Sequence, residues 1–193
     1  MLKGLLSLLG VYRIYEWWLW HQVRNGTMPE HIGIILDGNR RWATNRSMSP
    51  WTGHYYGANK TEEVLKWCLD LGIRSVTLYA FSTENFNRPR KEVEELMRIF
   101  EVKLKEILED DAIHKHRVRV KVIGRIHLLP RRLQEMIRLV EEATRDYEDH
   151  FLNVALAYGG RAEIIDATKK IALDVKEGRL KAEKIDETVF ERY

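Results

Sequence analysis

The run His31-Ile32-Gly33-Ile34-Ile35-Leu36-Asp37-Gly38-Asn39-Arg40-Arg41-Trp42 carries the densest chemistry in this 193-residue chain. An apolar, strand-like stretch delivers a carboxylate, a glycine and two guanidiniums in succession. Ligands of open α/β sheets bind beyond the carboxyl ends of the strands. Gly38 lets a ligand approach the backbone closely, and the N–H groups of a helix start favour an anion. Arg40 and Arg41 add charge-assisted donors suited to phosphate oxygens. Asp37, among such donors, is suited to holding Mg²⁺ against a diphosphate rather than binding phosphate itself. The plainer reading is a turn whose Asp caps a helix beside two solvated arginines.

Two further clusters follow apolar runs in the same way. Ser82-Thr83-Glu84-Asn85-Phe86-Asn87-Arg88-Pro89 is a polar loop after Tyr79-Ala80-Phe81, with Arg88 a second phosphate clamp or a solvated end. Ala157-Tyr158-Gly159-Gly160-Arg161 is again a strand end, glycine-rich backbone and an arginine, equally readable as a tight turn. His54, between Gly53 and Tyr55, lies near the first cluster, where it could touch a phosphate, shuttle a proton or serve structure alone. His114, His116, His127 and His150 read as surface residues without metal-ligand spacing. Neither a Walker lysine motif, nor G-x-G-x-x-G, nor G-x-S-x-G occurs.

The elements that must position these clusters alternate along the chain. Strand candidates are His31–Leu36, read as buried on both faces, Ser75–Phe81, Val118–Ile123, read as half-exposed near a sheet edge, and Phe151–Ala157. Helical patterns cover Ala58–Leu71, Lys91–Asp111, Pro130–Thr144, Ala162–Val175 and a segment from Ile185. This alternation predicts an α/β fold with a mainly parallel sheet. Apolar residues at 45% and charged residues at 32% suit a folded domain, and one cysteine, Cys68, excludes an intramolecular disulfide and a zinc framework. A net charge of +3 is too mild to argue for nucleic acid.

Residues 1–24 are set apart as an N-terminal amphipathic helix, with Leu5, Leu8, Tyr12, Tyr15 and Leu19 at helical spacing. Arg13 and Glu16 interrupt any membrane span, and no small-residue cleavage site marks a signal peptide. Trp17, Trp18 and Trp20 suit either a lipid interface or the protein's own core. The expected compartment is the cytoplasm, with room for peripheral membrane contact.

H-I-G-I-I-L-D-G-N-R-R-W-A, G-H-Y-Y-G-A, L-Y-A-F-S-T-E-N-F-N-R-P and A-Y-G-G-R occur in that order. Together they resemble the signature segments of the cis-prenyltransferases, the undecaprenyl and dehydrodolichyl diphosphate synthases. Arg40 and the Tyr12–Glu16 stretch are more similar to the archaeal and eukaryotic branch. The resemblance implies a parallel sheet flanked by helices around a hydrophobic tunnel, usually as a homodimer. It also implies Mg²⁺-dependent condensation of isopentenyl diphosphate onto farnesyl or geranylgeranyl diphosphate, giving a long polyprenyl diphosphate for a glycosyl-carrier lipid. By position, Asp37 would be the catalytic carboxylate and magnesium contact, and Asn85 would assist proton removal. Gly38, Asn39, Arg40 and Arg41 would cradle the allylic diphosphate with His54 and Arg88. Trp42, Ser82, Thr83, Glu84 and Phe86 would complete the substrate site. Leu96, Phe100 and Leu104 suit either a channel wall or an ordinary core.

There are departures. Pro50 falls where many members carry Arg, Phe86 where many have Trp, and Ala157 where Asn often precedes Tyr-Gly-Gly-Arg. An R-T-G-G-E-x-R-x-S-N-F-type segment and a later Glu complete the family's site, and no stretch here supplies them. The resemblance therefore implies one domain over 25–193 that lacks its C-terminal segment. It further implies a 193-residue form that binds an allylic diphosphate with little turnover. The alternative is a non-catalytic allylic-diphosphate-binding partner subunit of a heteromeric prenyltransferase. Retention of D-G-N-R-R favours the enzyme.

Overall fold

Four short runs rich in Val, Ile, Leu and aromatics pair, all in parallel, into one sheet of order β1-β2-β4-β3. They are β1 (His31–Ile35), β2 (Ser75–Ser82), β3 (Val118–Ile123) and β4 (His150–Tyr158). The computed structural model describes residues 11–193. The connecting helices are α1 (Val11–Arg24), α2 (Asn39–Thr44), α3 (Pro50–Asp70), α4 (Arg90–Glu109), α5 (Asp111–Lys115), α6 (Arg131–Thr144), α7 (Gly160–Lys176) and α8 (Glu187–Phe190). Single 3₁₀ turns at Thr83–Asn87, Ile126–Leu128 and Ala182–Lys184 complete the order.

The two central strands carry the core. Val76, Leu78 and Phe81 of β2 and Leu152, Val154 and Leu156 of β4 are all buried. Leu96, Met97 and Leu104 of α4 and Leu133, Ile137 and Val140 of α6 close over them. Cys68 is a buried, free thiol in the same cluster. In β3, Val118, Val120 and Val122 alternate with exposed residues, as an edge strand that is solvated on one face requires.

Three sequence expectations need correction. β1 is not buried on both faces: His31, Gly33 and Ile35, all on one face of the strand, are exposed, because none of the described residues covers that face there. α3 begins at Pro50, eight residues before the apolar period at Ala58, with proline in the first turn where its missing N–H costs little. His114, His116 and His150 are half-buried rather than surface residues. The His114 ring bonds the Tyr147 hydroxyl at 2.9 Å and the Leu108 carbonyl at 2.9 Å.

α1 buries none of its residues, and Ile14 and Trp17 are about two-thirds exposed. Leu5 and Leu8 of the expected amphipathic helix lie outside the described residues. No described helix is long and apolar enough to cross a membrane.

Candidate active site

Three strand ends meet at the carboxyl edge of the sheet, and Tyr79 ties them together. Its carbonyl accepts the Leu36 N–H at 3.2 Å from the end of β1, and its hydroxyl donates to the Tyr158 carbonyl at 3.3 Å in β4. The ladder slips on both sides of Phe81, and Ala157 adopts φ 48° while fully buried. Such bulges re-aim side chains at a strand end. The Ala157 departure thus sits where the backbone is left-handed, a conformation that Asn tolerates better than Ala.

From β1 the chain turns at Gly38, whose φ of 88° only glycine adopts without strain. Asp37 is exposed there. Its Oδ1 accepts the Gly38 N–H at 2.5 Å, and its Oδ2 accepts from Arg41 Nη2 at 3.0 Å. α2 has six residues, so its dipole is weak, and the anion-binding potential rests on the guanidiniums. The G-H-Y-Y-G spacing docks α2 onto α3. A Cβ on Gly53 would lie 2.2 Å from the Asn39 carbonyl oxygen, and one on Gly57 would lie 2.3 Å from the Asn39 side-chain oxygen. Asn39 is therefore held by packing against α3.

The convergence point of the site is Glu92, which sequence reasoning did not single out. Its carboxylate is 4% exposed, and Oε1 lies 3.0 Å from His54 Nε2, 3.3 Å from Arg88 Nη1 and 3.5 Å from Arg40 Nε. Residues from α2, α3 and the start of α4 thus meet on one oxygen. Burial holds the His54 pKa below the ordinary histidine value, against the opposing pull of Glu92. The ring is therefore neutral at neutral pH, with Nε2–H donating to the carboxylate. A glutamate four residues after Arg88 and three after Pro89 was the available signal.

The second loop is fixed by its own capping box. Ser82 N–H donates to Asn85 Oδ1 at 3.0 Å, and the Ser82 side chain accepts the Asn85 N–H. The Asn85 oxygen is thus engaged in holding the loop. Gly159 approaches the same loop so closely that a Cβ would meet Thr83 Oγ1 at 2.7 Å. Glu84 is exposed. Phe86 faces the core instead, edge-to-face on Phe81 at 4.9 Å. Trp42 packs on Tyr56 at 5.0 Å, and the Arg46 guanidinium lies over the Trp42 ring, 4.3 Å from its centre. Tyr158 donates its hydroxyl to Glu163, and that bond pushes its pKa up to about 12.

Behind this edge an apolar cavity of about 260 Å³ lies between α3, α4 and the sheet. Leu36, next to Asp37, and Ala80 line one end, and Arg74, Asp110 and Phe151 line the other. Leu65 and Leu69 of α3 and Phe100 and Leu104 of α4 form its walls. The cavity therefore runs from the site toward the amino ends of the strands. Leu104 and Phe100 are wall residues, while Leu96 belongs to the core beside them.

A polar, arginine-bearing strand edge beside an apolar cavity suits an amphiphile with an anionic head. The comparisons give the family. The model described as "Putative undecaprenyl diphosphate synthase" matches residues 35–193. A Methanopyrus kandleri protein named tritrans,polycis-undecaprenyl-diphosphate synthase (geranylgeranyl-diphosphate specific) is 53% identical over 97% of this chain and 69% of its own length. A Pyrococcus horikoshii protein of the same name is 52% identical over 94% and 69%. Among solved structures, lavandulyl diphosphate synthase from Lavandula x intermedia, in complex with dimethylallyl diphosphate, superposes with a TM-score of 0.81. It shares 36% identity over 85% of this chain and 70% of that one. A probable undecaprenyl diphosphate synthase from Campylobacter jejuni gives 0.66 at 29% identity, covering 86% and 69%. The chain belongs to the undecaprenyl diphosphate synthase family and is a cis-prenyltransferase.

Proposed function

We propose that this protein elongates geranylgeranyl diphosphate with successive isopentenyl diphosphate units to a long cis-polyprenyl diphosphate, in a magnesium-dependent reaction. The apolar cavity that begins at Leu36, the residue before the Asp37–Arg41 edge, carries this reading. One end suits a diphosphate and the other a growing hydrocarbon. The primer follows the relatives, which are named for geranylgeranyl diphosphate. The expected product is a precursor of a glycosyl-carrier lipid.

In this mechanism Arg40, Arg41 and Arg88 hold the allylic diphosphate by charge-assisted hydrogen bonds, and Gly38 gives its oxygens access to the backbone. Breaking the allylic C–O bond gathers negative charge on the diphosphate, where fixed guanidiniums act without reorganisation. Neutral His54 donates its one N–H to Glu92 and so acts as a positioning residue, holding the carboxylate on which Arg40 and Arg88 converge. The Asn85 carboxamide, anchored through its oxygen, presents its NH₂ and holds the loop in place. The Asp37 carboxylate would hold Mg²⁺. No group of three or more His, Cys, Asp or Glu able to hold a metal occurs among the described residues. One exposed carboxylate beside a diphosphate cradle fits the way Mg²⁺ is held by one or two carboxylates plus substrate phosphates. When bound, that ion neutralises diphosphate charge.

The family-implied homodimer and a contact of α1 with a membrane surface, through exposed Ile14, Trp17 and Trp18, belong to the same proposal. The test is incorporation of labelled isopentenyl diphosphate with geranylgeranyl and farnesyl diphosphates, with and without a chelator. Incorporation that prefers geranylgeranyl diphosphate and stops on chelation is expected. Absence of incorporation with either primer, both from this chain and from one extended by the family's C-terminal segment, overturns the reading.

A further inference from the structure

The cavity walls are mainly apolar, with Arg74 and Asp110 at the far end, and along their length α3 and α4 face each other across Lys103. Its Nζ lies 2.8 Å from Glu62 Oε1 and 3.0 Å from Asn59 Oδ1 on α3, and 2.8 Å from Glu106 Oε2 on its own helix. Lys103, Glu62 and Glu106 all line the cavity, and the Lys103 side chain is 19% exposed. Burial works against the ammonium, yet the bonds to Glu106 and Glu62 push its pKa up, so the ion pair stays charged. Its methylene stem adds to the apolar wall while its head reaches the polar rim.

We propose that Lys103 clasps α3 to α4 and so sets how far the growing prenyl chain extends, making it a specificity-determining residue for product length. The proposal rests on the elongation reading above. Each condensation adds an isoprene unit to a chamber of about 260 Å³, so a lengthening chain must displace a wall. The sheet wall is held by its ladder hydrogen bonds. The outer side of α4 is packed on α6 through the buried Leu133 and Ile137. The seam between α3 and α4 is different. Among the described residues one side-chain ion pair crosses it, Lys103–Glu62 along the cavity, and at the site end neutral His54 donates a hydrogen bond to Glu92. A partly exposed ion pair opens at far lower cost than a close-packed core. The chain therefore leaves the chamber through this seam, and the clasp opposes its passage.

The test compares the unaltered protein with Lys103→Met, Glu62→Gln and Lys103→Arg, reading product lengths by mass spectrometry. Lys103→Met keeps the apolar stem and folds without the clasp. Longer products are expected from it and from Glu62→Gln, with the KM for geranylgeranyl diphosphate and the first-condensation rate unchanged. Lys103→Arg is expected to retain the original lengths. Unchanged lengths in Lys103→Met overturn the proposal, as does an equal loss of primer binding. If the unaltered protein incorporates no isopentenyl diphosphate, either alone or extended by the family's C-terminal segment, the proposed function has failed, and the clasp is then judged by binding. Tryptophan fluorescence titrations would compare geranylgeranyl and undecaprenyl monophosphates. Lys103→Met is expected to bind the long chain about fivefold more tightly, which corresponds to ~1 kcal/mol, and the short one equally. Equal affinities for both ligands overturn it.

Discussion

His54 Nε2 and Glu92 Oε1 lie 3.0 Å apart, in side chains 7% and 4% exposed. This bond joins the middle of the G-H-Y-Y-G segment to the first turn of α4, and Arg40 and Arg88 converge on the same oxygen. Without Glu92, two guanidiniums and an imidazole would face one another with no buried counter-charge. The carboxylate therefore places two candidate phosphate ligands, Arg40 and Arg88, at one point, with His54 holding the carboxylate itself.

Removing that carboxylate tests the arrangement. Glu92→Ala leaves the buried His54 donor unpaired and removes the counter-charge of two partly exposed guanidiniums, which is expected to cost up to about 3 kcal/mol. For a chain of this size that corresponds to a fall in Tm of roughly 6–12 °C. Affinity for inorganic pyrophosphate is expected to weaken as well, since Arg40, Arg88 and His54 lose their common anchor. Thermal scans and calorimetric titration check the two effects separately. Tighter pyrophosphate binding would show instead that Glu92 acts as a competing negative charge.

Asp37 should behave in the opposite way. Its side chain is 76% exposed and bonds only its own turn and Arg41, so Asp37→Ala is expected to change stability by no more than about 0.5 kcal/mol. Turnover is expected to fall by ~10²-fold or more, the usual result of deleting a group that stabilises transition-state charge. Chemical denaturation alongside the incorporation assay separates the two. A variant that retains turnover would remove Asp37 from the mechanism.

The strands were legible because short apolar runs bounded by turns leave few alternatives, and Ser75–Phe81 and Val118–Ile123 fall within a residue of the observed β2 and β3. The exposure of β1 was not legible, because an apolar run is the same whether one or both of its faces are covered. The start of α3 was hidden because Trp51–Gly57 lacks an apolar period and its glycines read as breaks. In the fold they are contact points, pressed on Asn39 and Ala43 of α2. Asp37, Arg40, Arg41 and Arg88 stood out as charges following apolar runs. Glu92 did not, because in Arg90-Lys91-Glu92-Val93-Glu94-Glu95 it looks like one more residue of a solvated helix face. Only the approach of α2 and α3 from elsewhere in the chain buries it.

Those glycine contacts carry their own prediction. Gly57→Ala would place a methyl 2.3 Å from the Asn39 side-chain oxygen, and Gly53→Ala would press on Asn39 backbone and the Ala43 Cβ at 2.9 Å. The side chain in the first case can give way, whereas the backbone in the second cannot. Gly53→Ala is therefore expected to be the more damaging, at about 1–3 kcal/mol, with Gly57→Ala milder. Urea unfolding of the two variants checks the order. Because Asn39 begins the helix that carries Arg40 and Arg41, Gly53→Ala should also weaken pyrophosphate binding.

Acid stability supplies a test of the buried imidazole. The His54 pKa lies below 6.5 in the folded protein because burial penalises its charged form, while the unfolded chain takes up the proton near 6.5. The unfolded state thus binds more protons as pH falls through 6.5, and folding loses free energy over that window and below, down to the depressed folded value. The contribution of neutral His54 is fully present above pH 6.5. His54→Gln keeps a hydrogen-bond donor toward Glu92 but does not titrate, so its stability is expected to vary less between pH 7 and 5 than that of the unaltered protein. Urea midpoints at pH 7, 6 and 5 would measure the difference. Parallel pH profiles for the two proteins would show that His54 is not buried in its neutral form.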